Sequence, residues 1–283
     1  MSESASSITI GKDISVNRLG FGAMRLCGPG IWGWPADREN ALRVLRRAVA
    51  LGVELIDTAD AYGPNVNEEQ IAQALYPYPA GLTIATKGGS TRPGPGEWKR
   101  DGRPAHLAKA CEGSLRRLRL ERIDLYQLHA VDVNVPLEDQ VGALRKLRDE
   151  GKIRHVGLSN VTLDQLQRAE RIVEIVSVQN NYNVGNRASE PILEYCEASG
   201  IAFIPYFPLD AGDVATLDAL KPVATAHDTT VFQVALAWLL HHSPATLPIP
   251  GTSSLDHLAE NVAARSLTLS EEEYRALDRL TPA

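Results

Sequence analysis

Short apolar runs rich in Val, Ile and Leu alternate along the chain with longer stretches whose apolar residues recur every three or four positions. The first pattern predicts buried strands and the second amphipathic helices. Residues 7–16 open the series with two alternating segments around Gly11, Lys12 and Asp13, the signature of a hairpin. Strands are predicted at 18–23, 53–56, 82–86, 123–128, 155–158, 175–178, 202–205 and 246–249. Helices are predicted at 37–51, 68–75, 105–118, 137–150, 163–172, 191–199, 231–241, 255–264 and 270–280. Asp37 is placed to cap the first helix, and Gly52, Gly151 and Gly200 stand where three helices stop. Eight strand-like segments, each followed by a helical one, predict an α/β fold. The expectation is a single (β/α)8 TIM barrel over 1–283, with the N-terminal β-hairpin as a plug across one end and extra C-terminal helices. An open doubly wound sheet is the alternative. Its G-x-G-x-x-G turn is missing, and Gly20-Phe21-Gly22 alone does not replace it.

In a closed barrel the C-terminal ends of the strands share one face, where such folds carry their chemistry. The stretch 53–63, VELIDTADAYG, runs from core straight into the carboxylate of Asp57, with the phenol of Tyr62 on the loop beyond. Lys87, His129, Asn160 and Gln179 end the next four strands. Taken separately, Lys87 and Asp57 read as a structural ion pair and His129 as a hydrogen-bonded rim residue. Taken together with Tyr62 they make a proton donor for a carbonyl. The lysine is expected to lower the phenol's pKa from about 10, Asp57 to hold the ammonium, and His129 to donate to the carbonyl oxygen or share its proton. No side chain supplies hydride, so reduction needs a cofactor. Ser159, Asn160 and Gln179 offer hydroxyl and amide groups for a carboxamide, and Tyr206 a flat face for a nicotinamide. The stretch 249–261, IPGTSSLDHLAEN, is a strand, loop and helix start suited to a phosphate. Trp32 and Trp34, in the Gly- and Pro-rich loop 27–35, either anchor that loop on the barrel rim or wall a substrate pocket.

At 283 residues, 44% hydrophobic and 23% charged, the composition is that of a globular protein, and a net charge of −6 without any basic run argues against nucleic acid as a partner. The start, MSESASSITI, lacks the pattern of a signal peptide and no apolar run reaches membrane-spanning length. A cytoplasmic protein with no membrane partner is expected. Cys27, Cys111 and Cys196 are widely spaced without a CxxC pair and read as free thiols. His241 and His242, adjacent on a helix, point about 100° apart and do not share an ion, so no metal site is predicted.

The strand-end residues sit in blocks that together resemble the aldo-keto reductase family. These are DTADAYG, the Lys of IATKGG, the His of LYQLHA, the GLSN of 157–160, Gln179 with Tyr182, YFPL after the seventh strand, and IPGTSS followed by EN. The resemblance covers nearly the whole chain. It implies a catalytic tetrad of Asp57, Tyr62, Lys87 and His129 acting on a small-molecule carbonyl substrate, with Tyr62 the general acid. It implies that Ser159, Asn160 and Gln179 bind the nicotinamide amide, that Tyr206 stacks on the ring, and that Pro208 and Leu209 of the YFPL block belong to the cofactor site. Gly251, Thr252, Ser253, His257, Glu260 and Asn261 would lie around the adenosine phosphate and adenine. Many members carry Lys or Arg in place of Gly251 and Arg in place of His257, so NADPH is the expected cofactor with NADH possible. Within the family, LCGPGIWGWPADRENA, ALYPYP and FIPYFPLDAG resemble a bacterial subgroup that includes pyridoxal reductases. Trp32, Trp34 and Trp98 would then stack on a planar aldehyde, in a pocket left open by a short loop at 209–214. Two rivals stand beside this reading. A Schiff-base aldolase would use Lys87 as nucleophile, against the effect of an adjacent Asp57 on its pKa. A cofactor-binding regulatory subunit would have little turnover, against which the intact tetrad counts.

Overall fold

The structure, a computed structural model, describes residues 6–208 and 214–280. The strands β1 (Ser7–Ile10) and β2 (Ile14–Asn17) pair antiparallel as the expected hairpin, turned by Gly11 at φ +64°. After β3 (Phe21–Gly22) the chain alternates α1 (Arg38–Ala50), β4 (Leu55–Asp57), α2 (Val66–Leu75) and β5 (Thr83–Gly88). A small antiparallel pair, β6 (Ser90–Thr91) and β7 (Lys99–Arg100), projects from the loop after β5. Then come α3 (Pro104–Leu118), β8 (Ile123–Leu128), α4 (Leu137–Asp149), β9 (Ile153–Ser159), α5 (Leu163–Glu170), β10 (Ile175–Gln179), α6 (Glu190–Ser199) and β11 (Ala202–Phe203). The helices α7 (Val214–Ala226), α8 (Val231–His242), α9 (Leu255–Ala263) and α10 (Glu271–Asp278) complete the order. Local chemistry sets several of these ends. The Asp37 carboxylate accepts from Asn40 N at 2.8 Å, and Thr162 with Gln165, Thr230 with Gln233 and Ser270 with Glu273 form reciprocal capping boxes. Among the described residues no helix is long and apolar enough to cross a membrane.

The parallel strands run β11, β10, β9, β8, β5, β4, β3 across the sheet. The eighth segment joins its two edges. Phe203 N donates to Ala245 O and Leu247 N to Phe203 O, each at 2.8 Å, while Gly20 N and Gly22 N donate to Pro248 O and Pro250 O at 2.9 and 3.2 Å. The fold is therefore a closed (β/α)8 barrel. The expected strand at 246–249 is reduced to a bridge at Thr246, because Pro248 and Pro250 have no N–H to give a ladder. On the β3 side the backbones come so close that a Cβ on Gly22 would lie 2.6 Å from Ile249 O, and one on Gly251 2.4 Å from Gly22 O. The expected strand at 18–23 is correspondingly cut to two residues. Inside the barrel, Leu55, Ala85, Leu125, Val176 and Leu247 form one apolar cluster with Ile10, Ile14 and Val16, so the hairpin is a plug in contact with the core.

The helix α7 is absent from the expected elements. Its apolar period is interrupted by Pro222, which stands inside the helix. The loop expected at 209–214 lies, but for Val214, outside the described residues.

Beneath the sheet a buried polar group fixes two helices to β5. The Glu68 carboxylate on α2, fully buried, accepts from Thr86 Oγ1 and from Arg117 Nε of α3, both at 2.6 Å. Removing the cation strands a carboxylate without its charge partner. Arg117→Met is expected to cost about 3–5 kcal/mol in denaturant unfolding, and adding Glu68→Gln should recover much of it. A loss below about 1 kcal/mol in the single variant would show that the pair does not hold these helices.

Candidate active site

Lys87 lies one residue before the end of β5 with no exposed surface. Its Nζ donates to Asp57 Oδ1 at 2.6 Å, Thr58 O at 2.9 Å and Tyr62 Oη at 3.2 Å, which uses all three ammonium protons. Asp57, at the end of β4, accepts on its other oxygen from Gln179 Nε2 at 2.9 Å and Gln127 Nε2 at 3.4 Å. Four strands thus place one ion pair. Because Tyr62 Oη accepts from the ammonium, its own proton is free to be given away. His129 follows β8 and meets the Tyr62 ring edge-on, with centroids 5.7 Å apart. Its Nδ1 is buried without a hydrogen-bond partner.

Burial would push the Lys87 ammonium down, but the charge of Asp57 and the bonds to Asp57 and Tyr62 carry it above its ordinary value. The Tyr62 phenol differs from the expectation. Burial raises it above 10, and the lysine, which does pull the other way, does not overcome that. The residue is consequently a neutral phenol, the form that donates. Burial, then the charges of Lys87 and Arg92, hold His129 well below 6.5, so its ring is neutral at physiological pH.

These groups open on a cavity of about 340 Å³ whose lining includes Asp57, Tyr62, His129 and Trp98 together with Ser159, Asn160, Gln179, Tyr206, Pro208 and Gly251. Most of the polar capacity of Asn160 is spent within the protein. Its Nδ2 donates to His129 O and Ser159 Oγ, each at 3.0 Å, and its Oδ1 accepts from the Tyr206 hydroxyl at 2.7 Å. Asn160 holds a φ of +55°, a left-handed conformation that asparagine tolerates better than most residues. Tyr206 is thereby fixed at the cavity wall. Past Met24, Arg25 and Gly251 the cavity meets a groove of about 530 Å³ that includes Thr252 and Ser253. The Ser253 carbonyl accepts from Asn40 Nδ2 at 2.7 Å, which ties that loop to α1. His257 and Glu260, and the buried Asn261, lie on α9 and line neither space; Leu209 lies outside the described residues. Amide and hydroxyl groups beside a half-buried ring, continuing into a groove of small residues near a helix start, fit a nicotinamide dinucleotide.

Of the three tryptophans, Trp98 alone lines the cavity, and it contacts the edges of both Tyr62 and His129, at 6.3 and 5.8 Å between centroids. Trp32 bridges to Gly63 through the backbone, and Trp34 lies under the guanidinium of Arg38 at 4.5 Å. Met24, Arg25 and Phe207, none of them a candidate from the sequence, also line the cavity, as do Gly22, Ile249 and Pro250. Met24 and Arg25 follow the end of β3, so the strand-end rule applied to that short strand would have reached them. Phe207 lies beside Tyr206 in the YFPL block, where the same strand-end rule reaches it.

The sequence matches the Aldo/keto reductase family over residues 18–282. It is 49% identical over 275 residues to an uncharacterized oxidoreductase of Schizosaccharomyces pombe, spanning 97% of this chain and 89% of that one. It is 45% identical over 284 residues to the pyridoxine 4-dehydrogenase of Escherichia coli, spanning 98% and 99%. An aldo-keto reductase from Klebsiella pneumoniae, solved in complex with NADPH, has the same fold with a TM-score of 0.83 at 30% identity, over 97% of this chain and 94% of that one. Strand-end chemistry, barrel and relatives agree, and the chain belongs to the aldo/keto reductase family.

Proposed function

We propose that the protein reduces planar aldehydes, pyridoxal among them, to alcohols with NADPH. The observation that carries this reading is the Tyr62 hydroxyl, which accepts from a fully buried Lys87 ammonium while facing a cavity with its own proton unspent. The cofactor supplies hydride when bound. Tyr62 would give its proton to the carbonyl oxygen as negative charge develops there, and Lys87, held by Asp57, would stabilise the charge left on the phenol. The neutral His129 offers a second hydrogen bond beside the same oxygen. Ser159, Asn160 and Gln179 would orient the nicotinamide amide against Tyr206, and Gly251, Thr252 and Ser253 would receive the phosphates, with His257, Glu260 and Asn261 on α9 beyond them. Trp98 and Phe207 present flat apolar surfaces at the mouth, 43% and 46% exposed, which suits an aromatic ring. The similarity to a pyridoxine 4-dehydrogenase and to a structure with NADPH supports both the substrate and the cofactor.

The test is loss of NADPH absorbance with pyridoxal and a panel of other aldehydes, repeated with NADH. Turnover of planar aldehydes is the expected result. Folded protein that binds NADPH yet turns over no carbonyl would overturn the proposal in favour of a binding subunit. Tyr62→Phe is expected to lower kcat by about 100-fold or more while leaving the Kd for NADPH within about twofold. A variant with comparable kcat would remove Tyr62 from the proton-transfer role.

Neither Tyr62, raised above 10, nor His129, lowered below 6.5, changes charge across neutral pH. Reduction consumes a proton from the neutral phenol, so kcat/KM should stay level from about pH 7 to 9 and fall only at higher pH. Alcohol oxidation needs the phenolate and should rise as pH rises. A reduction rate that falls between about pH 6.5 and 8 would contradict the neutral pair.

The exposed His257, in the first turn of α9, is the position proposed to face the 2′-phosphate. His257→Arg should tighten NADPH about tenfold with little change for NADH. Equal effects on the two cofactors would place residue 257 away from that phosphate.

A further inference from the structure

Arg92 does not line the cavity, yet it is only 8% exposed. Its hydrogen bonds go to main-chain carbonyls. Nε donates to Glu97 O at 2.7 Å, Nη1 to Ile31 O at 3.0 Å and Ala61 O at 3.4 Å, and Nη2 to Gly30 O at 2.7 Å. Those carbonyls belong to three separate segments: the glycine-rich loop after β3, the loop that carries Tyr62, and the tip of the β6–β7 hairpin. The guanidinium carbon lies over the Trp98 ring, 3.9 Å from its centroid, and over that of Trp32 at 5.9 Å. Only a planar, forked cation can bond in its plane and stack on its face at once, and an ammonium has neither property.

Trp98 needs such support. It stands near the tip of a two-residue-per-strand hairpin and is 43% exposed, so little packing of its own fixes the ring. Arg92 holds it from one side, and the edges of Tyr62 and His129 meet it at 6.3 and 5.8 Å. The hairpin tip is further bound to the glycine-rich loop, Gly96 N donating to Gly30 O at 3.3 Å.

We propose that Arg92 is a specificity-determining positioning residue. By locking Trp98 at a fixed distance from Tyr62 and His129 it makes a rigid wall that selects planar aromatic aldehydes over compact aliphatic ones. This rests on the carbonyl-reductase reading above. A compact aldehyde needs only the reacting groups, whereas a ring gains from a wall already in place, since nothing has to be ordered on binding.

The experiment compares benzaldehyde and propanal, with NADPH, in wild type, Arg92→Met, Arg92→Lys, Trp98→Ala and the Arg92→Met/Trp98→Ala double variant. Arg92→Met is expected to raise KM for benzaldehyde about tenfold and for propanal less than about twofold. Arg92→Lys, which keeps the charge and loses the fork, should behave like Arg92→Met. The double variant should be no worse on benzaldehyde than Trp98→Ala, because both changes remove the same wall. Equal losses on the two aldehydes, full rescue by lysine, or losses that multiply in the double variant would overturn the proposal. A second readout is independent of turnover: fluorine NMR of protein labelled with 5-fluorotryptophan, the Trp98 signal identified by its absence in Trp98→Phe. Arg92→Met should shift and narrow that signal as the ring loosens. An unmoved signal would overturn the positioning role, whereas a moved signal in a protein that binds NADPH but turns over no carbonyl of the panel above would support it and defeat the carbonyl-reductase reading alone.

Discussion

One buried ammonium governs the arrangement of this site. A lysine with no exposed surface is costly unless every proton finds an acceptor and a negative charge lies beside it. Lys87 meets both conditions only because β4 delivers Asp57, and the loop after β4 delivers Thr58 O and Tyr62. Asp57 is held in turn by amides from β8 and β10. The ion pair therefore depends on barrel curvature that brings four strand ends together. The same geometry gives the tyrosine a donor on one side and a cavity on the other. Structure and chemistry here are a single requirement: satisfying the cation orients the acid.

Much of this was legible in the sequence because strand ends are legible. The run VELID ends its core at Asp57, and Lys87, His129, Asn160 and Gln179 each terminate an apolar run, so a barrel once inferred carries them to one face. What failed to show were contacts made by the backbone and by loops. The carbonyls that receive Arg92 carry no side-chain signal, and the β6–β7 hairpin is too short for a strand pattern. The helix α7 hid behind Pro222. The balance at Tyr62 is not legible either: the sequence shows that a lysine is near but not how completely the phenol is removed from water.

Asn160 illustrates how the cofactor side is built. With Nδ2 on the His129 carbonyl and Oδ1 on the Tyr206 hydroxyl, it connects the ends of β8 and β9 to the loop after β11. A residue read as a ligand contact is first a strut between the proton-donating side of the site and the aromatic wall opposite. Its left-handed backbone turns the chain at that point, so position and conformation are set together.

The proline-bearing segment at 245–250 has a consequence for the energetics of the whole barrel. On the β3 side its backbone bonds run from Gly20 and Gly22 to proline carbonyls, a ladder of two bonds at 2.9 and 3.2 Å. The cavity and its adjoining groove are bordered by Met24 and Arg25 on one side of that seam and by Gly251 on the other. Whatever fills this space touches both margins at once. Ligand binding and barrel closure are thus thermodynamically linked, and the free energy of occupation is added to the cohesion of the fold at this join.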